Sequence, residues 1–161
     1  MASSPKVRTC IWFEKDAIEA ARLYVSLLPD SRIENAAAVE HMLTGEADGV
    51  RIIDIVLAGT PYQLLQAGPY QQLTEMMSIA VTTDDQDETD RLWEALTANG
   101  GAPVQCGWLK DRWGVAWQIV PRRFVELAAS GDRAKVHAML AAMMGMQKLD
   151  IGALEAAYES A

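Results

Sequence analysis

TCIWFEKDAIEAARLYVSL, residues 9 to 27, returns later in the chain as SIAVTTDDQDETDRLWEAL, residues 78 to 96, aligned without a gap. Asp16 falls on Asp85, Glu19 on Glu88, Arg22 on Arg91, Leu23 on Leu92, Tyr24 on Trp93 and Leu27 on Leu96. A repeated unit constrains a fold more tightly than propensity does, because both copies must satisfy one architecture. Each copy opens with a short β-rich run, TCIWF or SIAVT, and passes into a helical pattern. Positions 20, 23, 24 and 27, like 89, 92, 93 and 96, recur at helical spacing, so each helix carries one stripe for a core. Thr89 is the weak member of the second stripe, which predicts a shallower seat for that helix. Asp16 and Asp85 each precede a helix with a glutamate three residues on, the pattern of a capping box. Pro29 ends the first helix and Asn99-Gly100-Gly101 the second.

After the first helix, RIENAAAVEHM, VRIIDIVLAG and TPYQLLQAG read as three successive strands, with the polar loop TGEADG between the first two. The second copy has less chain in which to build the same three strands, since 22 residues run from Leu96 to Gln118, against 36 from Leu27 to Gln63. Its first strand after the helix, around Ala102 to Gln105, must therefore be short or irregular, and GWLKDRWGVAW supplies the closing hairpin. The last strands also repeat, since GTPYQL at 59 to 64 and GVAWQI at 114 to 119 set glycine, an aromatic and glutamine at matching places. The predicted class is α+β: two βαβββ modules, 7–67 and 76–121, in a single domain, followed by a helical extension over 122–161. In that extension DRAKVHAMLAAMMGMQ and DIGALEAAYES read as helices, the last with Asp150 near its start. Its Met-rich face suits packing or a subunit contact.

With 161 residues and half of them hydrophobic, the chain can bury one proper core. A formal charge of -8 and the lack of a basic tract argue against a nucleic-acid partner. No run reaches the roughly 18 apolar residues of a membrane span, and the N-terminus has no signal-peptide core, so a soluble cytoplasmic protein with no membrane partner is expected. Cys10 and Cys106 cannot build a cysteine-based zinc site or a disulfide framework. Cys10 reads as a small buried hydrophobe and Cys106 as a thiol without a histidine to activate it. Trp93 and Trp117 read as core, and Trp108 and Trp113 flank the turn LKDR.

The paired modules closing on GVAWQI resemble the vicinal-oxygen-chelate superfamily of glyoxalases, extradiol dioxygenases and bleomycin-resistance proteins. WFEKDAIEAARLYVSLLPDSRI, LTEMMSIAVTTDDQDETDRLW, QCGWLKDRWGVAWQIVP and the tail MLAAMMGMQKLDIGALEAAY are similar to its PhnB-like branch, over nearly the whole chain. Members of that branch often carry the label 3-demethylubiquinone-9 3-methyltransferase. The resemblance implies a cupped mixed sheet and a groove between the modules that often holds a divalent metal. Its ligands come from the start of the first strand and the middle of the last strand of each module, which are Thr9, Gln63, Ser78 and Gln118 here.

Two hydroxyls and two neutral amides bring neither anionic charge nor imidazole to such a site, and His41 and His137 lie elsewhere. The expected groove is thus free of metal and of any other cofactor. Strand alternation adds Ile11, Phe13, Leu65, Ala80 and Thr82 to its lining, and turns Trp12 away from it. The function expected is binding of a small organic molecule of unknown identity; the competing reading is that these side chains simply fill the interior. The enzymatic alternatives are a metal-dependent lyase or dioxygenase type of reaction and the methyl transfer of the family label. Methyl transfer would call for a glycine-rich loop to hold S-adenosylmethionine, and neither EKDAIE nor TDDQDE contains glycine. For acid-base chemistry Glu14, Asp54 and Glu75 are the carboxylates to consider, Glu75 being the catalytic candidate to mutate first. The superfamily commonly forms homodimers, and the tail helices offer apolar surface for that contact.

Overall fold

The computed structural model describes residues 5–38, 50–69 and 72–161. The predicted strand end at Glu40 to Met42, with His41, and the loop TGEADG fall outside them. The chain divides into two units, Met1–Leu73 and Thr74–Ala161. The first runs β1 (Thr9–Phe13), α1 (Ala17–Leu27), β2 (Arg32–Ala38), β3 (Arg51–Leu57) and β4 (Thr60–Gln66). Its sheet has the order β1-β4-β3-β2, with β1 parallel to β4 and the other pairs antiparallel. The second runs β5 (Ile79–Thr83), α2 (Gln86–Thr97), β6 (Ala102–Pro103), β7 (Trp108–Lys110) and β8 (Ala116–Pro121), in the equivalent order β5-β8-β7-β6. The cramped connection after α2 leaves β6 only two residues long, the short strand that the chain length requires.

Each helix covers one face of its own sheet. In the first unit α1 packs on β2, β3 and β4, and Ala20, Ala21, Tyr24 and Leu27 are buried together with Ile11, Phe13, Ile53, Ile55 and Leu64. In the second, Leu92, Trp93 and Leu96 of α2 are buried with Ile79, Leu109, Trp117 and Ile119. Thr89 is no weak point, for it is fully buried. Its Oγ1 donates to the Asp85 carbonyl at 2.8 Å and lies 2.6 Å from Thr83 Oγ1, so both hydroxyls enter the core with partners.

The two expected helix caps differ. Asp85 accepts from the Glu88 amide at 2.8 Å, and Glu88 Oε2 in turn accepts from the Asp84 amide at 2.8 Å. Asp16 sits instead in the left-handed region, with φ 59°, and its side chain caps nothing. The Ala17 amide donates to Gln66 Oε1 of β4 at 3.1 Å in its place.

The tail folds with the second module. Helices α3 (Arg122–Ala128), α4 (Arg133–Met143) and α5 (Ile151–Glu159) close over a cluster of Leu127, Met139, Leu149, Leu154 and Tyr158. Gln86, at the start of α2, accepts the Ile151 amide at 2.8 Å and donates to the Leu149 carbonyl at 3.2 Å. The amides of Cys106 and Gly107 donate to the carbonyls of Met146 and Gln147 at 2.8 and 2.7 Å. Asp150 caps α5 by accepting from the Ala153 amide at 2.8 Å. Among the described residues no helix is long and apolar enough to cross a membrane.

Candidate functional site

Side chains paired directly across a sheet share a face, so strand register decides which residues meet on the side away from each helix. On β4, Gln63 stands opposite Cys10 of β1 and Asp54 of β3, while Leu65 stands opposite Trp12 and Ile52. The helix-free face of the first sheet therefore carries Cys10, Trp12, Ile52, Asp54, Gln63 and Leu65. Thr9, Ile11 and Phe13 pair with Tyr62, Leu64 and Gln66, on the face that α1 covers. This corrects the strand-parity expectation: Gln63 and Leu65 are brought together as predicted, but Thr9, Ile11 and Phe13 point the other way. Trp12 is on the helix-free face, its indole N-H donating to the Gly68 carbonyl at 2.8 Å. Cys10 is exposed there and is not a buried hydrophobe.

In the second sheet the parity is as predicted. Gln118 stands opposite Ala80 on one side and Trp108 on the other, and its Nε2 donates to Ser78 Oγ at 2.7 Å. Ser78, Ala80, Thr82 and Gln118 thus share the face away from α2.

The error in the first module comes from a single residue. Tyr62 stands opposite Thr9 and Trp117 opposite Ile79, so Thr9 corresponds to Ile79 and the counterpart of Ser78 is Arg8. The link before α1 is Glu14-Lys15-Asp16, whereas Asp84-Asp85 suffices before α2; an alignment that matches the helices misaligns the strands by one. A one-residue slip turns every strand side chain to the opposite face. The signal was present in the apolar alternation: the ungapped alignment sets buried Ile11 on exposed Ala80, while a shift of one sets it on Val81.

With Arg8 in place of Thr9, the first module presents a charged cluster that the sequence reading missed. Arg8 Nε lies 3.5 Å from Asp54 Oδ1, and the same oxygen accepts from Gln63 Nε2 at 3.1 Å. The second module presents only the Ser78 hydroxyl and the Gln118 amide at the equivalent places. Partial desolvation raises the thiol pKa of exposed Cys10, a shift the nearby Arg8 charge partly opposes. Burial likewise raises the phenol of Tyr62. Glu75 is exposed and forms an ion pair with Lys110 of β7, and Glu14 is exposed in the β1-α1 link. Of the three carboxylates considered, Asp54 is the one held in a polar cluster.

These donors do not fit a divalent metal. A guanidinium has no lone pair to offer and repels a cation, and the one carboxylate beside it is already compensated. Gln63 and Gln118 direct N-H groups to Asp54 and Ser78. Among the described residues no three His, Cys, Asp or Glu side chains gather in a way that could hold a metal ion.

Residues 5–120 match the protein family described as 3-demethylubiquinone-9 3-methyltransferase. The chain resembles a solved structure described as a putative 3-demethylubiquinone-9 3-methyltransferase, PhnB protein, from Bacillus cereus, with TM-score 0.65 and 25% identity, covering 73% of this chain and 99% of that one. A protein from Pseudomonas aeruginosa gives TM-score 0.61 at 20% identity, covering 73% and 98%. A variant of the fosfomycin resistance protein FosX from Listeria monocytogenes, complexed with Mn(II) and 1S,2S-dihydroxypropylphosphonic acid, gives 0.51 at 12% identity, covering 74% and 92%. The last two likenesses speak to the fold alone. No match is found among curated proteins.

Proposed function

The chain belongs to the PhnB-like family described as 3-demethylubiquinone-9 3-methyltransferase, within the vicinal-oxygen-chelate superfamily, and on that premise we propose that it binds a small organic molecule against the helix-free faces of its sheets without a divalent metal. The observation that carries this reading is the character of those faces. Arg8, Asp54 and Gln63 form a connected polar group beside Trp12 and Leu65, and Gln118 with Ser78 lies beside Trp108 and Ala80. Apolar surface with a few oriented polar groups is what fixes a small ligand in place. Had these faces only filled an interior, apolar residues of matching volume would serve as well and would avoid the cost of desolvating an ion pair.

Methyl transfer, the reaction in the family's description, is not part of this proposal. Neither Glu14-Lys15-Asp16 nor Asp84-Asp85 contains glycine, and the Ala17 and Glu88 amides at the helix starts are already taken by Gln66 and Asp85. We include a homodimer in the proposal, supported by the exposed apolar side chains Val125, Leu140 and Met144 on the tail. Sedimentation of the full chain tests it, and a monomer at micromolar concentration removes it.

The binding reading is tested by a thermal-shift screen of small aromatic and aliphatic metabolites, alongside metal analysis of tag-free protein. A ligand that binds the folded state raises its apparent stability in proportion to RT ln(1 + [L]/Kd). The expected result is a concentration-dependent rise with no stoichiometric metal. Silence across a broad library, or one iron, nickel, zinc or manganese per chain, overturns it.

A further inference from the structure

We propose that the ligand carries an anionic group, a carboxylate or a phosphorus oxyanion, and that Arg8 is the residue that selects it. The inference rests on the ligand-binding reading above and names the class of molecule that reading leaves open. Arg8 stands immediately before β1 and shares a strand face with Cys10 and Trp12. Its guanidinium forms an ion pair with Asp54, Nε lying 3.5 Å from Oδ1, and among the described residues its terminal nitrogens have no partner.

That arrangement differs from an ordinary surface ion pair. The Arg8 and Asp54 side chains keep only 28% and 17% of their full exposure, and Gln63 Nε2 fixes the same Asp54 oxygen at 3.1 Å. Asp54 is thus fixed by Gln63, and its charge keeps the arginine on this face of the sheet. A guanidinium has five N-H donors in a planar fork, and an ion-pair contact on the Nε side leaves the outer edge available. That edge matches two oxygens of a carboxylate, phosphate or phosphonate in a bidentate contact. Holding the fork in place beforehand lowers the entropy lost when the anion arrives.

The neighbouring surface indicates the rest of the molecule. Along the same face come exposed Cys10 and then Trp12, with Leu65 opposite Trp12 on β4. An aliphatic or flat body beside Leu65, with its anion on Arg8, uses both kinds of surface at once. The chain as a whole carries a formal charge of -8, so general electrostatics disfavour anions and a local cation is needed to recruit one.

The test uses the full chain and probes matched in shape but not in charge: benzoate and phenylphosphonate against neutral benzyl alcohol, with inorganic phosphate as the anion alone. Titration calorimetry on tag-free protein reads the affinities. One charge-assisted bidentate contact predicts that an organic anion binds about ten-fold or more tightly than the alcohol. Arg8→Gln should abolish that preference and Arg8→Lys should keep only part of it, because lysine is a point charge without the fork. Asp54→Asn, which removes the negative charge that offsets the cation, should strengthen anion binding without affecting benzyl alcohol. If Arg8→Gln fails to fold, the comparison of charged and neutral probes on the unaltered chain still decides. Equal affinity for the alcohol and the anions, or a neutral ligand from the wider screen with no response to any anion, overturns the role of Arg8 and leaves ligand binding standing. Absence of any ligand overturns both.

Discussion

Asp111 and Trp117 meet inside the second unit, where the carboxylate Oδ2 accepts the indole N-H at 3.0 Å and both residues are buried. The other oxygen accepts the amides of Trp113 and Val115, each at 3.0 Å, so one side chain organises the whole turn between β7 and β8. Asp111→Ala strands these buried donors, at a cost of about 3 kcal/mol or more in urea unfolding. Asp111→Asn can keep the amide acceptor but sets an amide N-H against the indole when it does so, so it should lose about 1 to 2 kcal/mol. A loss below about 0.5 kcal/mol for the alanine variant would mean that the turn holds itself.

What the sequence made legible, and what it hid, divides by range. The stripe Leu92, Trp93, Leu96 could be read directly because helical periodicity is local. The shortness of β6 followed from counting residues. The face of β1 could not be read from β1 alone, since it depends on pairing with β4 and on whether the link before α1 contains one residue more than the link before α2. The same extra residue places Asp16 in a left-handed turn and passes its capping role to remote Gln66. A charge at the edge of a strand, such as Arg8, carries no local sequence signal that sets it apart from solvated surface. The last two tail helices were legible but α3 was not, nor was the docking of the tail through Gln86 and Gly107, because those contacts join residues far apart in the chain.

The buried hydroxyl pair predicts a non-additive double mutant. Thr89→Val removes a donor to the Asp85 carbonyl and leaves Thr83 Oγ1 facing a methyl group, at a cost of about 1 to 2 kcal/mol. Thr83→Val should cost a similar amount. Together they should cost less than the sum by at least about 0.5 kcal/mol, because the second change removes the polar atom that the first one stranded. Additive losses in a double-mutant cycle would show that the 2.6 Å contact contributes no coupling.

Gly107 should tolerate no side chain. Its φ is +83°, and a Cβ there would lie 2.8 Å from the Ile119 carbonyl oxygen and 3.2 Å from Leu149. The first neighbour is strand backbone and the second belongs to the tail cluster, so neither yields without disturbing packing. Gly107→Ala is expected to cost about 2 kcal/mol or more and to expose the segment from Met143 to Leu149 to proteolysis before the rest of the unit. Gly131, whose φ is +85° with open space around it, is the control, and alanine there should cost about 1 kcal/mol from backbone conformation alone. Equal losses at the two positions would show that the tail does not press on Gly107.

Cys10 offers a pH-dependent readout of the Arg8 cluster. Although the residue is exposed, partial desolvation by its neighbours raises the thiol pKa, and the Arg8 charge opposes that shift without cancelling it. The thiolate is the reactive form, so alkylation of Cys10 by iodoacetamide near neutral pH should be slower than that of a free small-molecule thiol, and should keep climbing with pH after the free thiol has levelled off. Arg8→Gln removes the opposing charge, which raises the pKa further and slows the neutral-pH reaction by about two-fold or more. The same shift carries a stability consequence with a definite sign. The neutral thiol is the form favoured by folding, so the contribution is fully present below the unfolded-state pKa and is lost as pH rises through the higher folded-state value. Mass-resolved labelling from about pH 6 to about pH 10 separates Cys10 from Cys106 and follows both effects. An anion seated on Arg8 should shield the neighbouring thiol, so phenylphosphonate should slow labelling of Cys10 and leave Cys106 unchanged. Cys10 labelling faster than a free thiol at pH 7, or faster still in Arg8→Gln, would contradict this picture of the cluster.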